Sequence, residues 1–219
     1  MPKKTAPEAR PSRPRRPTDR VAPRPPAAVS SPRRSAILAL AAQLFAERGF
    51  QATTVRDIAD AAGLLSGSLY HHFDSKESMV DELLASFLDD LLARCRGIAG
   101  QRLEPREALE RMVEEAFDAL PRHRAAIVVF QHDAAHLARF ERFGYLKVCA
   151  QELEDLWVGV LRRGVDSGDL VCPEPELTYR FIRDAVWMSV HWYRLDGALT
   201  TRDLSRHYLR VLVEGLAPR

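Results

Sequence analysis

Residues 53–77, TTVRDIADAAGLLSGSLYHHFDSKE, narrow the fold more than any other stretch of this 219-residue chain. Val55, Ile58, Ala59 and Ala62 recur at the spacing of one face of a short helix. Thr53 and Thr54 offer hydroxyl caps at its start, and Gly63 supplies a C-terminal stop. A second helix opens on Ser66, Gly67 and Ser68, whose small side chains let its N-terminal end approach a phosphate or a base edge. Leu69 and Phe73, four apart, point inward, which leaves Tyr70, His71 and His72 to face outward or sideways. Asp74 and Ser75 are candidate caps for a third helix. Lys76 at its start opposes the helix macrodipole, a placement that suits a DNA phosphate better than an isolated helix. Two short helices joined by a glycine turn are the grammar of a helix-turn-helix, here spanning about residues 54–73.

Ala41, Leu44, Phe45, Gly49, Phe50, Thr53, Thr54, Ile58, Ala59, Leu69, Tyr70, His72, Phe73, Ser75, Lys76 and Glu77 stand in one register over about residues 33–92. In that order and spacing the segment resembles the DNA-binding domain of the TetR family of transcriptional regulators. The resemblance implies an all-α protein of about nine helices. Three would form an N-terminal helix-turn-helix domain over 33–80, and the rest a ligand-binding and dimerisation domain over 81–219. It also implies a homodimer that reads a palindromic double-stranded DNA operator with one recognition helix per subunit. By the same resemblance Thr54, Ser68, Tyr70, His71 and Lys76 are expected at the DNA backbone, and Ser66 and Gly67 at the groove. Packing against the domain is the structural alternative for Tyr70. Family members often carry a hydroxyl residue where this chain has Leu65, so capping of the recognition helix is expected to shift to Ser66.

Composition bounds the rest. An apolar share of 46% supplies a core, and no run of 18 apolar residues exists to span a membrane. Cys95, Cys149 and Cys172 lie far apart and match no metal spacing, which fits a reducing cytoplasm. Arg33 and Arg34 before the apolar AILALAAQLFA imitate a twin-arginine export signal, but Gln43 and Glu47 interrupt the run and helical periodicity continues through it, so export is rejected. The net charge of +2 is uneven: residues 1–32 hold eight Lys or Arg and two acids. Residues 33–80 hold five of each sign, so nucleic-acid binding rests on the motif and not on a basic patch. Nine of the 14 prolines also fall in the first 32 residues, which predicts a disordered basic arm. Two readings of that arm stay open, extra phosphate contacts or an inert tail.

Beyond the arm, a helix is expected from Arg33 to Arg48, ended by Gly49, and another from Lys76 to about Gly97, long enough to link two domains. Further helices are expected near 105–119, 122–131, 135–165, 174–195 and 201–216, broken by Pro121, Gly168, Pro173 with Pro175, and Gly197. No segment alternates like a strand. The helix over 174–195 is apolar on several sides, and with the stripe of the last helix it suits a two-fold four-helix interface.

Arg183 and Trp187, four apart, place a fixed cation beside a large ring. If buried, Arg183 needs an anion, and Glu152, Glu154 or Asp155 are internal candidates, Asp184 being adjacent in sequence. FIRDAVWMSVHWYR over 181–194, with GLLSGSLYHHFDSKE and MVDELL, resembles one subgroup of the TetR family, the actinobacterial repressors of late cholesterol-ring (steroid C/D ring) catabolism. In that subgroup the inducer is a CoA thioester of a steroid-derived two-ring propanoate. An arginine and a tryptophan at this spacing belong to its site, which implies ligand roles for Arg183 and Trp187. Trp157 is a further candidate for the same cavity, with a core role as its alternative. The expectation is a repressor released by a small-molecule acyl-CoA effector, with no cofactor, no catalysis and no membrane partner. A rival of the same class is an efflux-pump regulator sensing a hydrophobic drug, in which Arg183 is structural. A rival of another class is a metal-dependent hydrolase using His132 and His136 of HDAAH, with Asp133 as a short base, but no third ligand follows. No G-x-S-x-G elbow or phosphate-cradling glycine loop is present.

Overall fold

The computed structural model describes residues 31–216; the proline-rich arm expected over 1–32 lies almost wholly outside the described residues. Among these there are eight α-helices and no strand: α1 Pro32–Arg48, α2 Val55–Ala61, α3 Ser66–Leu69, α4 Lys76–Ala99, α5 Pro105–Leu137, α6 Tyr145–Ser167, α7 Pro175–Trp192 and α8 Thr201–Leu216. A single 3-10 turn, Glu141–Phe143, precedes α6.

Local chemistry places the first helices. Ser31 caps α1 by accepting from the Arg34 N–H, Pro32 sits in the first turn, and Gly49 ends the helix at φ 85°. Thr54 and Asp57 form a reciprocal capping box at α2, and Ser75 and Ser78 do the same at α4. Ile37, Ala41, Phe45, Ile58, Leu69 and Phe73 close a small core under the helix-turn-helix. Arg34, half of the pair that imitated an export signal, locks this core. Its guanidinium lies 4.2 Å from the centre of the Phe73 ring, bonds the His72 carbonyl and pairs with Glu82 on α4.

α4 runs past Gly97 to Ala99 and packs on α5 and α6, joining the N-terminal unit to the bundle. α5 departs from expectation. The two helices predicted on either side of Pro121 are one 33-residue element, and the break is reduced to a kink at His123 (φ −129°, ψ 23°). Pro121 removes one N–H and crowds the preceding turn, which bends the helix without ending it because both halves are packed. His123 is held there by Asp90 of α4 at 2.9 Å and by the Phe87 ring. The helix predicted over 135–165 is in turn interrupted: α5 stops at Leu137, and the Phe140–Phe143 ring contact fixes the turn before α6.

α7 and α8 close the bundle. Tyr179, Ile182, Val186 and Val190 of α7 are buried, whereas Leu177, Phe181, Met188 and Trp192 form an exposed apolar stripe along its other side. Within one subunit, therefore, α7 is not buried all round.

Candidate functional site

The helix-turn-helix presents Ser66, Gly67, Tyr70 and His71 at the surface while Leu69 and Phe73 are buried beneath them. Tyr70 is 56% exposed, so it does not pack into its own domain. Ser68 is half-buried, and Thr54 is exposed with its hydroxyl engaged by Asp57. That bond is the main cause of a lowered Asp57 pKa. Ser66 is not the helix cap. Leu65 occupies the N-cap position without any side-chain bond and stands 82% exposed, while Ser66 is the first helical residue. A leucine can adopt the extended backbone of an N-cap but has no side-chain acceptor, so the first N–H groups are left to outside acceptors.

Lys76 is also placed differently. Its ammonium turns inward and donates to the Phe50 carbonyl at 2.7 Å and the Thr53 carbonyl at 2.8 Å, 4.3 Å from the centre of the Phe50 ring. Burial lowers its pKa below the usual lysine value. In place of the expected phosphate contact, the ammonium fixes the loop between α1 and α2, held by two carbonyls and a ring face.

A cavity of about 660 Å³ opens in the regulatory half between α4, α5, α6 and α7. Phe87, Phe130, Leu153, Tyr179, Trp187 and Met188 give it apolar walls, and Arg183, Lys147, Gln131, Gln151, His132 and His191 bring polar groups to it. Trp187 meets Phe87 edge to face at 5.4 Å, so its indole is held by packing from α4. Arg183 and Trp187, four apart on one face of α7, both line this cavity. Arg183 is not deeply buried, and its partner is the neighbour Asp184 at 2.8 Å, not Glu152, Glu154 or Asp155. The hydrogen bond it donates to Asp184 is the first cause of its raised pKa. Glu152 instead takes Arg96 in a two-pronged pair at 2.5 and 2.7 Å.

Trp157 is 6% exposed, lies against Tyr179 behind the cavity wall and does not line the main cavity. It reaches only a gap of about 20 Å³ beneath it. Burial pushes Tyr179 up to about 12, so its phenol stays neutral.

His132 and His136 face different neighbours. His132 stacks on His191 at the cavity, and His136 packs between Phe50 and Phe140. Asp133, between them, is buried and accepts from the Phe50 N–H at 3.1 Å. Among the described residues no three His, Cys, Asp or Glu side chains gather as a metal site. The hydrolase reading fails on this geometry, because its base is already bound to backbone. Sequence reasoning missed the part Asp133 plays, since its partner lies 83 residues away.

A helix-turn-helix carried on α4 beneath a helical bundle is the design of a DNA-binding transcriptional regulator. Two family models match: "bacterial regulatory proteins, tetR family" over residues 37–83, and "tetracyclin repressor-like, C-terminal domain" over 102–216. The chain belongs to the TetR family. It is 49% identical over 188 residues to the HTH-type transcriptional repressor KstR2 of Rhodococcus jostii (strain RHA1), covering 85% of this chain and 92% of that protein. It is 48% identical to the protein of the same name in Mycobacterium tuberculosis (strain ATCC 25618 / H37Rv), over 84% of this chain and 92% of that one. The solved structure of ketosteroid transcriptional regulator KstR2 of Mycobacterium tuberculosis superposes with a TM-score of 0.82 at 47% identity, covering 85% of this chain and 96% of that chain. These relatives are transcriptional regulators and not enzymes.

Proposed function

We propose that this TetR-type repressor binds a near-palindromic operator as a homodimer in the cytoplasm and is released by a CoA thioester of a steroid-derived acid. The observation that carries the ligand reading is the cavity: a volume of about 660 Å³ with aromatic walls and one guanidinium, Arg183, next to Trp187. Fused rings suit the walls, and a thioester carbonyl or phosphate suits the guanidinium. The Arg183–Asp184 pair is exposed and worth about 0–1 kcal/mol, so an incoming anion can replace the aspartate at small cost. The similarity to KstR2 repressors supports the same reading.

The exposed stripe of Leu177, Phe181, Met188 and Trp192 on α7 supports the dimer, because a contiguous apolar face of this kind is covered in a stable protein. For the DNA face, Thr54, Ser66, Gly67, Ser68, Tyr70 and His71 remain the assigned contacts.

The test is fluorescence anisotropy on the chain's own upstream DNA, titrated with a steroid-propanoyl CoA thioester, its free acid, free CoA and a neutral hydrophobic drug. Wild type and Arg183→Met are compared. Release by the thioester alone, lost in Arg183→Met while operator binding survives, is expected. Release by the neutral drug and not by the thioester would replace the ligand assignment with the efflux-regulator reading.

A further inference from the structure

The backbone of Phe50 is held through both its N–H and its carbonyl. Lys76 at the start of α4 donates to its carbonyl, and Asp133 of α5, 83 residues along the chain, accepts from its N–H at 3.1 Å. The Phe50 ring is 2% exposed and packs between Phe45 of α1 and His136 of α5. Asp133 itself is 6% exposed, and its charge acts on the Lys76 ammonium. A buried carboxylate bonded to backbone in another domain is costly unless the geometry is kept, so the two domains are registered at this point.

The same turn of α5 forms part of the cavity. Phe130, Gln131 and His132 line it, and Asp133 is the next residue. Phe50, in turn, opens the loop whose Thr54 caps α2. One helical turn therefore has the cavity on one side and the helix-turn-helix mount on the other.

We infer that Asp133 is a positioning residue: with Lys76 it clamps the Phe50 backbone, sets the pose of the helix-turn-helix on α5 and carries cavity occupancy to the operator. The ligand arm of this inference rests on the function proposed above. The clamp arm does not.

Asp133→Ala removes the acceptor and leaves the Phe50 N–H without a partner, while Asp133→Asn keeps an acceptor oxygen. Two measurements on the full chain test the clamp. In the first, operator dissociation constants are measured with and without saturating steroid-propanoyl CoA thioester. Thioester affinity of DNA-free protein is read separately from tryptophan quenching, all three tryptophans lying in the regulatory half. The expected result is a release ratio reduced at least tenfold in Asp133→Ala, thioester affinity within about threefold of wild type, and substantial rescue in Asp133→Asn; these thresholds follow the usual 5- to 150-fold range of allosteric coupling. A merely structural loss would lower stability and leave the release ratio intact, and an intact ratio overturns the inference.

If wild type itself is not released by the thioester, the ligand assignment is at fault, and the second measurement decides the clamp alone. Hydrogen exchange of effector-free protein should then speed up in Asp133→Ala across peptides covering 49–69, with α7 unchanged. Equal protection across 49–69 would overturn the clamp.

Discussion

Replacing Lys76 by methionine separates two roles that the sequence alone cannot. Methionine keeps most of the aliphatic stem over Phe50 but deletes the ammonium and its bonds to the Phe50 and Thr53 carbonyls. A hydrogen bond to a charged donor contributes about 1.5–3 kcal/mol when well formed. The contact with the Phe50 ring adds about 0.5–1 kcal/mol. Desolvation of the ammonium, the cause of its lowered pKa, offsets a large part of that sum. The expected net loss is about 1–3 kcal/mol of unfolding free energy, or a fall in Tm of about 2–12 °C for a chain of this size. Urea unfolding at fixed protein concentration measures it. The salt dependence of operator binding supplies the counter-test, since a lysine on a phosphate steepens the slope of log K against log salt by about one. Lys76→Met with unchanged stability and a slope reduced by about one would refute the inward placement and restore the phosphate contact.

Other expectations follow from the same geometry. Trp157→Phe should cost about 1–3 kcal/mol of stability by opening a gap behind Tyr179, yet leave thioester affinity within about threefold by titration calorimetry; a larger loss of affinity would return Trp157 to the ligand site. Phe181→Asp, on the exposed stripe of α7, should weaken self-association by at least about 30-fold in sedimentation velocity, the effect of about 2 kcal/mol at an interface anchor, and an unchanged association constant would remove α7 from the dimer. Glu152 has its pKa lowered first by the hydrogen bond from Arg96, so its contribution is present above the unfolded value of about 4.5 and is lost as pH falls through the folded one. Glu152→Gln should therefore show a shallower loss of Tm below pH 4.5 than wild type, and parallel curves would show that this pair contributes nothing.

What could be read from the chain was what local chemistry decides. The caps Thr54 and Ser75, the glycine stop at Gly49 and the apolar spacing of Ile58, Leu69 and Phe73 each act within a turn or two, and the N-terminal helices formed as their residues indicated. Pro121 misled because a proline ends a helix only when the next turn lacks packing, and here both halves of α5 are anchored on α4. Arg183 was treated as buried because its helix is apolar on several sides; a helical period cannot say which of those sides the rest of the chain covers. The Asp133–Phe50 bond left no trace in spacing, since it joins positions 83 residues apart. His132 and His136 showed the opposite failure: an i, i+4 pair suggestive of metal was split between a ring stack at the cavity and a packing contact at the domain junction.

Under the function proposed above, the two sides of α7 set the terms on which the effector could change. Leu177, Phe181 and Trp192 look outward, while Tyr179, Arg183, Asp184, Trp187 and His191 look into the cavity, and among the described residues of α7 Met188 alone belongs to both sets. On that proposal, variation at the inward positions would retune the effector without touching the face assigned to subunit pairing, and variation at the outward ones would alter pairing without touching the effector. Met188 is where the two histories meet. Its flexible thioether tolerates reshaping on either side, which makes it the position through which a new effector and a reshaped dimer would have to be reconciled.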